Sequence, residues 1–339
     1  MCMVTIILVI DTSERKLSDG TANDRITPAN VLGGFGMVAT QNIPKGTLIL
    51  EDNPLLVVDT HILSDNWNGG TAFFNNERAS ITNRIRYALG STDWRNKRPR
   101  FRLLDDGSPR LVVPNPPNLR VRDVNIVDTN AWGFRNPGVN ENTWLVVLGD
   151  LSRVNHSCVP NAFTTEVCTN NGQVGRMKLI ATKDIEIGEE IVVEYTKEDS
   201  WLQPCNARRR TLQRGWGFQC HCNACEDSGF TNCEWRLARM LKAEIDLLPR
   251  PTAAESFLLA KRIYAANKYV GILEFWGFGD RRLSEAYLRL AELYVLAEWY
   301  AEARKVTITG LEIEGWYYDI NEVGRELNQM LARCGVRRP

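Results

Sequence analysis

The 339-residue chain balances 41 Lys and Arg against 41 Asp and Glu, with 44% hydrophobic and 24% charged residues. That composition is ordinary for a soluble globular protein of two domains, or of one domain with a large insert. It provides no global field toward nucleic acid or a membrane surface, which argues against a strongly basic DNA-binding protein and leaves only local patches. Nine cysteines, an odd count, are too few for a disulfide scaffold at this length and suit a reducing, intracellular compartment.

In chain order, the apolar run Thr5–Ile10 is too short for a membrane span and lacks the basic start of a signal peptide, so an N-terminal strand is expected there. Residues 11–30 are polar and read as loops. A strand follows Gly33-Gly34-Phe35-Gly36, then a turn at Ile43-Pro44-Lys45-Gly46-Thr47. Strands are expected at Leu48–Glu51 and Leu55–Val58, separated by Asn53-Pro54. Residues 59–125 are Arg- and Pro-rich and contain no cysteine, which marks an insertion. Trp144–Val154 is expected to be a short helix. Phe163–Val167, Gly175–Thr182 and Ile191–Tyr195 alternate as strands should, with turns at Gly172 and Asp184–Gly188. The phrase Ala181-Thr182-Lys183-Asp184-Ile185 echoes Ala39-Thr40-Gln41-Asn42-Ile43, a local pair of strand-turn units. From about Trp235 the texture is helical, with Leu237, Leu241, Ile245 and Leu248 on one face and a later helix pair broken at Glu298-Trp299-Tyr300.

Chemistry concentrates in three places: Asn155-His156-Ser157-Cys158-Val159-Pro160-Asn161, then Gly188-Glu189-Glu190-Ile191 leading to Tyr195, then Cys220-His221-Cys222-Asn223-Ala224-Cys225. Three cysteines within six residues suit a metal better than three bridges, and four thiolates make a tetrahedral zinc site. With Cys158 as the fourth ligand, the ion would clip a distant tail onto the middle of the chain. His221 offers an alternative ligand. Cys2, Cys168, Cys205, Cys233 and Cys334 are left as free thiols. The basic run from Arg84 to Arg110 and the triplet Arg208-Arg209-Arg210 read as solvated faces, with an acidic or nucleic-acid contact as the alternative.

These three motifs, in this order, resemble the SET-domain protein lysine methyltransferases, most closely the SMYD-type branch in a fungal-like form lacking the MYND zinc finger. The resemblance implies an α+β protein: a β-rich SET fold with pseudoknot-like threading, a zinc-bound post-SET tail and an α-helical, TPR-like C-terminal domain. The expected limits are 1–58 and 126–196 for the two parts of the SET domain, 59–125 for the insert, 197–233 for the post-SET segment and 234–339 for the helices. It implies S-adenosylmethionine as co-substrate, gripped by Gly34, Phe35, Gly36, Asn155, His156 and Phe218. Trp216 and Asn130 would line the lysine channel, Tyr195 would be catalytic, and Cys158, Cys220, Cys222 and Cys225 would hold one structural zinc. Asn161 is expected to fix its loop through side-chain bonds to backbone. The implied partner is a protein or peptide lysine, histone or not, bound by a monomer in nucleus or cytoplasm, with no membrane and no required nucleic acid. The alternative is a scaffold that kept the fold and lost turnover.

Overall fold

A computed structural model describes residues 7–11, 35–59, 130–135, 143–168, 174–196, 200–226, 231–246, 256–316 and 322–335. The insert beyond residue 59, Gly34, Gly172 and Leu248 lie outside them, as do the side chains of Phe35, Cys168 and Cys233.

Among the described residues, the first half of the chain builds three small sheets. One orders β1 (Ile7–Asp11), β2 (Phe35–Ala39), β10 (Glu190–Val193) and β7 (Asn155–His156). The second orders β3 (Leu48–Asp52), β9 (Val174–Ala181) and β8 (Ala162–Cys168). The third orders β4 (Leu56–Asp59), β6 (Thr143–Val147) and β5 (Ala131–Arg135). The strands alternate as expected: Ile191 and Val193 of β10 are buried while Glu190 and Val192, the alternate positions, are only partly so. Met37, Ile43, Leu148, Leu151, Leu179, Ile185 and Ile191 meet in the core of this half.

The two echoing phrases meet each other. Ile43 and Ile185 exchange backbone hydrogen bonds at 2.8 and 2.9 Å, Gly46 N–H donates to Ala181 O at 2.8 Å, and Gly188 N–H donates to Ala39 O at 2.8 Å. Side chains repeat the pattern: Asp184 accepts from Lys45 N–H at 2.8 Å and Asn42 from Ile187 N–H at 2.9 Å. Gly46 and Gly188 close the two turns at φ of 79° and 82°, a region that costs any other residue a Cβ clash. The echo in sequence is therefore a local two-fold of strand-turn units.

The second half is helical: α1 (Cys205–Trp216), a short α2 (Asn223–Glu226), α3 (Thr231–Asp246), α4 (Ser256–Phe275), α5 (Arg281–Leu296), α6 (Tyr300–Glu314) and α7 (Glu322–Arg333). Its core gathers Leu273, Phe278, Leu283, Tyr287, Leu290 and Tyr294, with Trp201 entering from the 3-10 turn Ser200–Leu202. The halves touch closely. Trp316 packs on Gly46, Lys183 on Gly277 and Thr182 on Gly279, where a Cβ would come within 2.6 Å of the Thr182 carbonyl. No described helix is long and apolar enough to cross a membrane.

Two expectations are corrected. Trp144–Val154 is not a helix: Thr143–Val147 is the central strand β6, paired antiparallel with both β4 and β5, and only Leu151–Arg153 turns, as a 3-10 helix. Trp144 to Val147 is a β-prone aromatic and aliphatic run, and two flanking strands absorb its backbone groups. On α3, Leu237 faces outward at 47% exposure, and the packed stripe is Ala238, Leu241 and Ile245.

Candidate functional site

Parallel pairing of β7 with β10, Asn155 opposite Val192 and His156 opposite Val193, delivers the Asn155–Asn161 motif beside Tyr195. Ser157 N–H donates to Val193 O at 2.9 Å and Asn161 N–H to Val192 O at 3.2 Å. Asn161, buried, locks the crossing: its Nδ2 donates to Glu190 O at 2.8 Å and to Glu189 Oε1 at 3.1 Å, and its Oδ1 accepts from Val192 N–H at 2.8 Å. The expected side-chain to backbone role is met.

Tyr195 is held at both ends. Its N–H donates to His156 Nδ1 at 3.0 Å and its hydroxyl donates to Val154 O at 2.6 Å. With its proton given to a carbonyl, the phenolic oxygen keeps lone pairs that can accept from another donor. His156 is 1% exposed, and burial is the chief reason its pKa falls to about 3. Because Nδ1 accepts, the neutral ring carries its proton on Nε2, 3.5 Å from Cys158 Sγ. Both nitrogens are occupied, so His156 orients its neighbours and is no proton shuttle.

Aromatic rings enclose Tyr195. Ring centroids lie 5.4 Å away for His156, 5.5 Å for Trp216, 6.3 Å for Trp132 and 6.4 Å for Phe218. Trp216 and Phe218 reach it together because Gly217, at φ 78°, ends α1 in the left-handed conformation. Trp132, on β5, was not singled out in the sequence; an aromatic in a short strand carries no signal of its own. Asn130, just before it, accepts through its carbonyl from Ser152 Oγ at 3.1 Å.

Asn155 Nδ2 donates to Glu190 Oε1 at 2.7 Å, and a Cβ on Gly36 would lie 2.9 Å from both atoms. Only glycine leaves this pair its place. Burial pushes the Glu190 carboxyl up, and the bond from Asn155 partly offsets it.

The cysteines converge as expected. The sulfurs of Cys158, Cys220, Cys222 and Cys225 lie within 4.8 Å of one another, all buried, with Cys158 Sγ 3.9 Å from Cys220 and 3.6 Å from Cys225. Those separations are far beyond a disulfide and match the edges of a tetrahedron of Zn–S bonds of about 2.3 Å, roughly 3.8 Å between sulfurs. The donor set fits zinc. His221 turns outward, 2.8 Å from Glu226 Oε1, and leaves the four sulfurs to themselves. Cys205 also stays out, donating to Cys225 O at 3.4 Å.

One reading changes. Arg208 is no solvated arginine: it is 4% exposed, donates to the carbonyls of Trp201, Gln203 and Ala224 at 3.3, 2.5 and 2.7 Å, and reaches Cys225 Sγ at 3.5 Å. Hydrogen bonds from neighbouring cysteines, with Arg208 adding its charge, hold the Cys225 thiol well below its ordinary value. Arg209 donates to Cys220 O at 2.9 Å and Cys225 O at 3.2 Å, so two of the three arginines shape the tail. A triplet of like residues in sequence gives no hint of which faces inward.

Comparison with protein families matches residues 34–196 to the SET domain. Among curated proteins, the chain is 37% identical over 76 residues to histone-lysine N-methyltransferase SET5 of Meyerozyma guilliermondii, covering 22% of this chain and 15% of that one. It is 27% identical over 192 residues to histone-lysine N-methyltransferase set5 of Schizosaccharomyces pombe, covering 57% and 47%. The chain thus spans less than half the length of these relatives. Among solved structures, the SET domain of LSMT bound to lysine and AdoHcy aligns over 89% of this chain and 80% of that one, at 14% identity and a TM-score of 0.28. The polycomb repressive complex 2 of Chaetomium thermophilum aligns over 89% and 31%, at 15% identity and a TM-score of 0.25.

Proposed function

We propose, from the SET domain that residues 34–196 carry, that this chain transfers a methyl group from S-adenosylmethionine to the side-chain amine of lysine in a protein. The observation that carries the reading is Tyr195, fixed at both its amide and its hydroxyl inside an aromatic enclosure beside Asn155 and His156. Bound S-adenosylmethionine supplies an electrophilic methyl: the amine lone pair forms the N–C bond while the C–S bond breaks, sulfur leaves as a neutral thioether, and the amine proton goes to water.

The protein's part is positional. A free lysine amine has a pKa of about 10.4, so the chain must receive it neutral or help it lose a proton. The aromatic walls from Trp132, Trp216 and Phe218 disfavour the ammonium by desolvation when they exclude water. The Tyr195 oxygen, its proton already committed to Val154, accepts from the remaining amine N–H and fixes the lone pair in line. Gly36, Asn155 and His156 are assigned to cofactor binding, joined by Gly34 and Phe35, with Phe218 on its adenine side. Trp216 and Asn130 are assigned to the lysine channel. Cys158, Cys220, Cys222 and Cys225 are assigned one structural zinc, which closes the tail over Tyr195 without an open position for hydrolysis. The finer resemblance, to a SMYD-type enzyme with threaded SET segments and TPR-like helices, belongs to the same proposal, as does a monomer acting in nucleus or cytoplasm. Histones are the first substrates to try, because the relatives are named for them.

The test is calorimetric titration of the purified chain with S-adenosylmethionine, followed by transfer of labelled methyl to core histones. One-to-one binding and label on lysine are expected. Tyr195→Phe should lower the rate on the order of 10²-fold, in the range for a positioned catalytic group, while binding of S-adenosylmethionine holds. An unchanged rate removes Tyr195 from the chemistry; binding without transfer to any protein favours the scaffold.

A further inference from the structure

The residue before Tyr195 faces the other way, into the joint between the two halves. Glu194 is a carboxylate with a side chain 7% exposed, and it meets Arg282, 5% exposed, at 2.5 Å between Oε2 and Nη1. Its second oxygen accepts from Ser200 Oγ at 2.5 Å and Thr196 Oγ1 at 3.0 Å. Arg282 sits in the first turn of α5. Asp280, the N-cap of that helix, takes the Arg282 N–H and its guanidinium together, with Nε 3.0 Å from Oδ1 and 2.9 Å from Oδ2. The guanidinium lies 4.2 Å from the Phe278 ring centre, and Phe278 is buried against Trp201. One cation therefore joins the strand end that carries Tyr195 to the cap and core of the helical half.

We infer that Arg282 is a positioning residue for Tyr195, acting through Glu194; this rests on the role proposed above for Tyr195. The geometry is that of a two-sided clamp. On the inner side, His156 Nδ1 takes the Tyr195 amide and Val154 its hydroxyl. On the outer side, the adjacent Glu194 is fixed by a planar fork whose other prongs are spent on Asp280. Strand β10 ends at Val193, and just beyond it the side chains of Glu194 and Tyr195 anchor the chain on either side. A lysine cannot replace this arginine, because a single ammonium has no rigid fork to join two carboxylates at fixed spacing. Loosening of the outer jaw lets Tyr195 turn about its inner bonds, which alters the angle of attack and the volume left for a methylated amine. The helical half thus sets the geometry of methyl transfer.

The test compares the parent with Arg282→Lys, and with the triple variant Glu194→Gln, Asp280→Asn and Arg282→Gln, which removes all three charges of the cluster together, with asparagine still able to cap α5, so that none is left alone if the lysine variant does not fold. Hydrogen exchange read by mass spectrometry on the fragment holding the Tyr195 amide is independent of activity. It should be at least tenfold faster in the variants, with fragments from β8 and β9 unchanged. With labelled S-adenosylmethionine and core histones, kcat should fall about tenfold while KM for histone and the affinity for S-adenosylmethionine stay within twofold, and the ratio of mono- to higher-methylated lysine should shift. Unchanged exchange at Tyr195 in a folded variant overturns the inference, whatever the activity. Faster exchange in a chain whose parent transfers no methyl upholds the clamp and rejects the catalytic reading instead.

Discussion

Two buried charge clusters flank Tyr195, and they are finished in different ways. On the Glu194 side the counter-charge comes from the protein: one cation, Arg282, stands between two carboxylates, Glu194 and Asp280, all of them side chains already in place. On the His156 side, four buried sulfurs face one guanidinium and one imidazole N–H. Those two donors neutralise little of the charge that four thiolates would carry, which is the electrostatic ground for proposing a dication there. One side of the site forms with the fold; the other, on the proposal above, forms with the metal it binds.

Removing the metal should therefore have the largest effect. A chain as purified should hold one zinc by elemental analysis, and Cys222→Ser should lose it together with the order of residues 220–226, seen as rapid proteolysis after Arg214. Structural zinc in small domains is worth about 10–16 kcal/mol of apparent binding energy, far more than any other contact here. Full zinc content in Cys222→Ser would overturn the ligand set. The other cluster should be insensitive to chelators and respond to truncation: Arg282→Ala leaves Glu194 buried and unpaired, at a cost of about 3–5 kcal/mol in urea unfolding. A shift under 1 kcal/mol would mean that water reaches Glu194 and that the cluster is no clamp.

Arg208→Lys tests the overlap between the two designs. The lysine retains a charge near Cys225 and loses most of the donors now given to the carbonyls of Trp201, Gln203 and Ala224. Zinc affinity in competition with a chelator should fall roughly 10- to 100-fold, the usual effect of losing an outer hydrogen bond to a metal ligand. Loss of zinc as complete as in Cys222→Ser would make Arg208 a folding residue first.

Much of the metal side was legible in the sequence, and almost none of the clamp was. Three cysteines in six residues carry their chemistry in their spacing, and Cys158 stands out because its neighbours Asn155, His156 and Asn161 are equally unusual. The echo of Ala39–Ile43 in Ala181–Ile185 was legible too, because matched turns at Gly46 and Gly188 leave matched residues. Glu194, Asp280 and Arg282 look like any surface charges: Arg282 lies 88 positions beyond Glu194, and only the packing of α5 onto the strand end makes them one unit. Arg208 was misread for the same reason, since burial is decided by what a helix packs against and not by its own composition. Trp144–Val147 was misread because a short apolar run has no period long enough to separate strand from helix.

The last contrast is between the two glutamates at opposite ends of β10, Glu190 at its start and Glu194 just past its finish. Glu194 has a cation against it, whereas the Glu190 carboxylate accepts from the neutral amide of Asn155. Burial raises the folded pKa of Glu190 above its unfolded value near 4.5, so the native state binds this proton more tightly than the unfolded one. The sign follows: through the window that begins near pH 4.5 and runs up to the raised value, the unfolded state holds fewer protons and stability decreases as pH rises. Glu194, also raised by burial, contributes with the same sign, opposed by Arg282. Glu190→Gln keeps the bond to Asn155 and removes the titration. Unfolding free energies measured from pH 5 to 8 in the metal-loaded protein should therefore fall less steeply in Glu190→Gln than in the parent, with the two closest at the acid end. Parallel curves would mean that Glu190 is as well compensated as Glu194, and that the two ends of the strand do not differ after all.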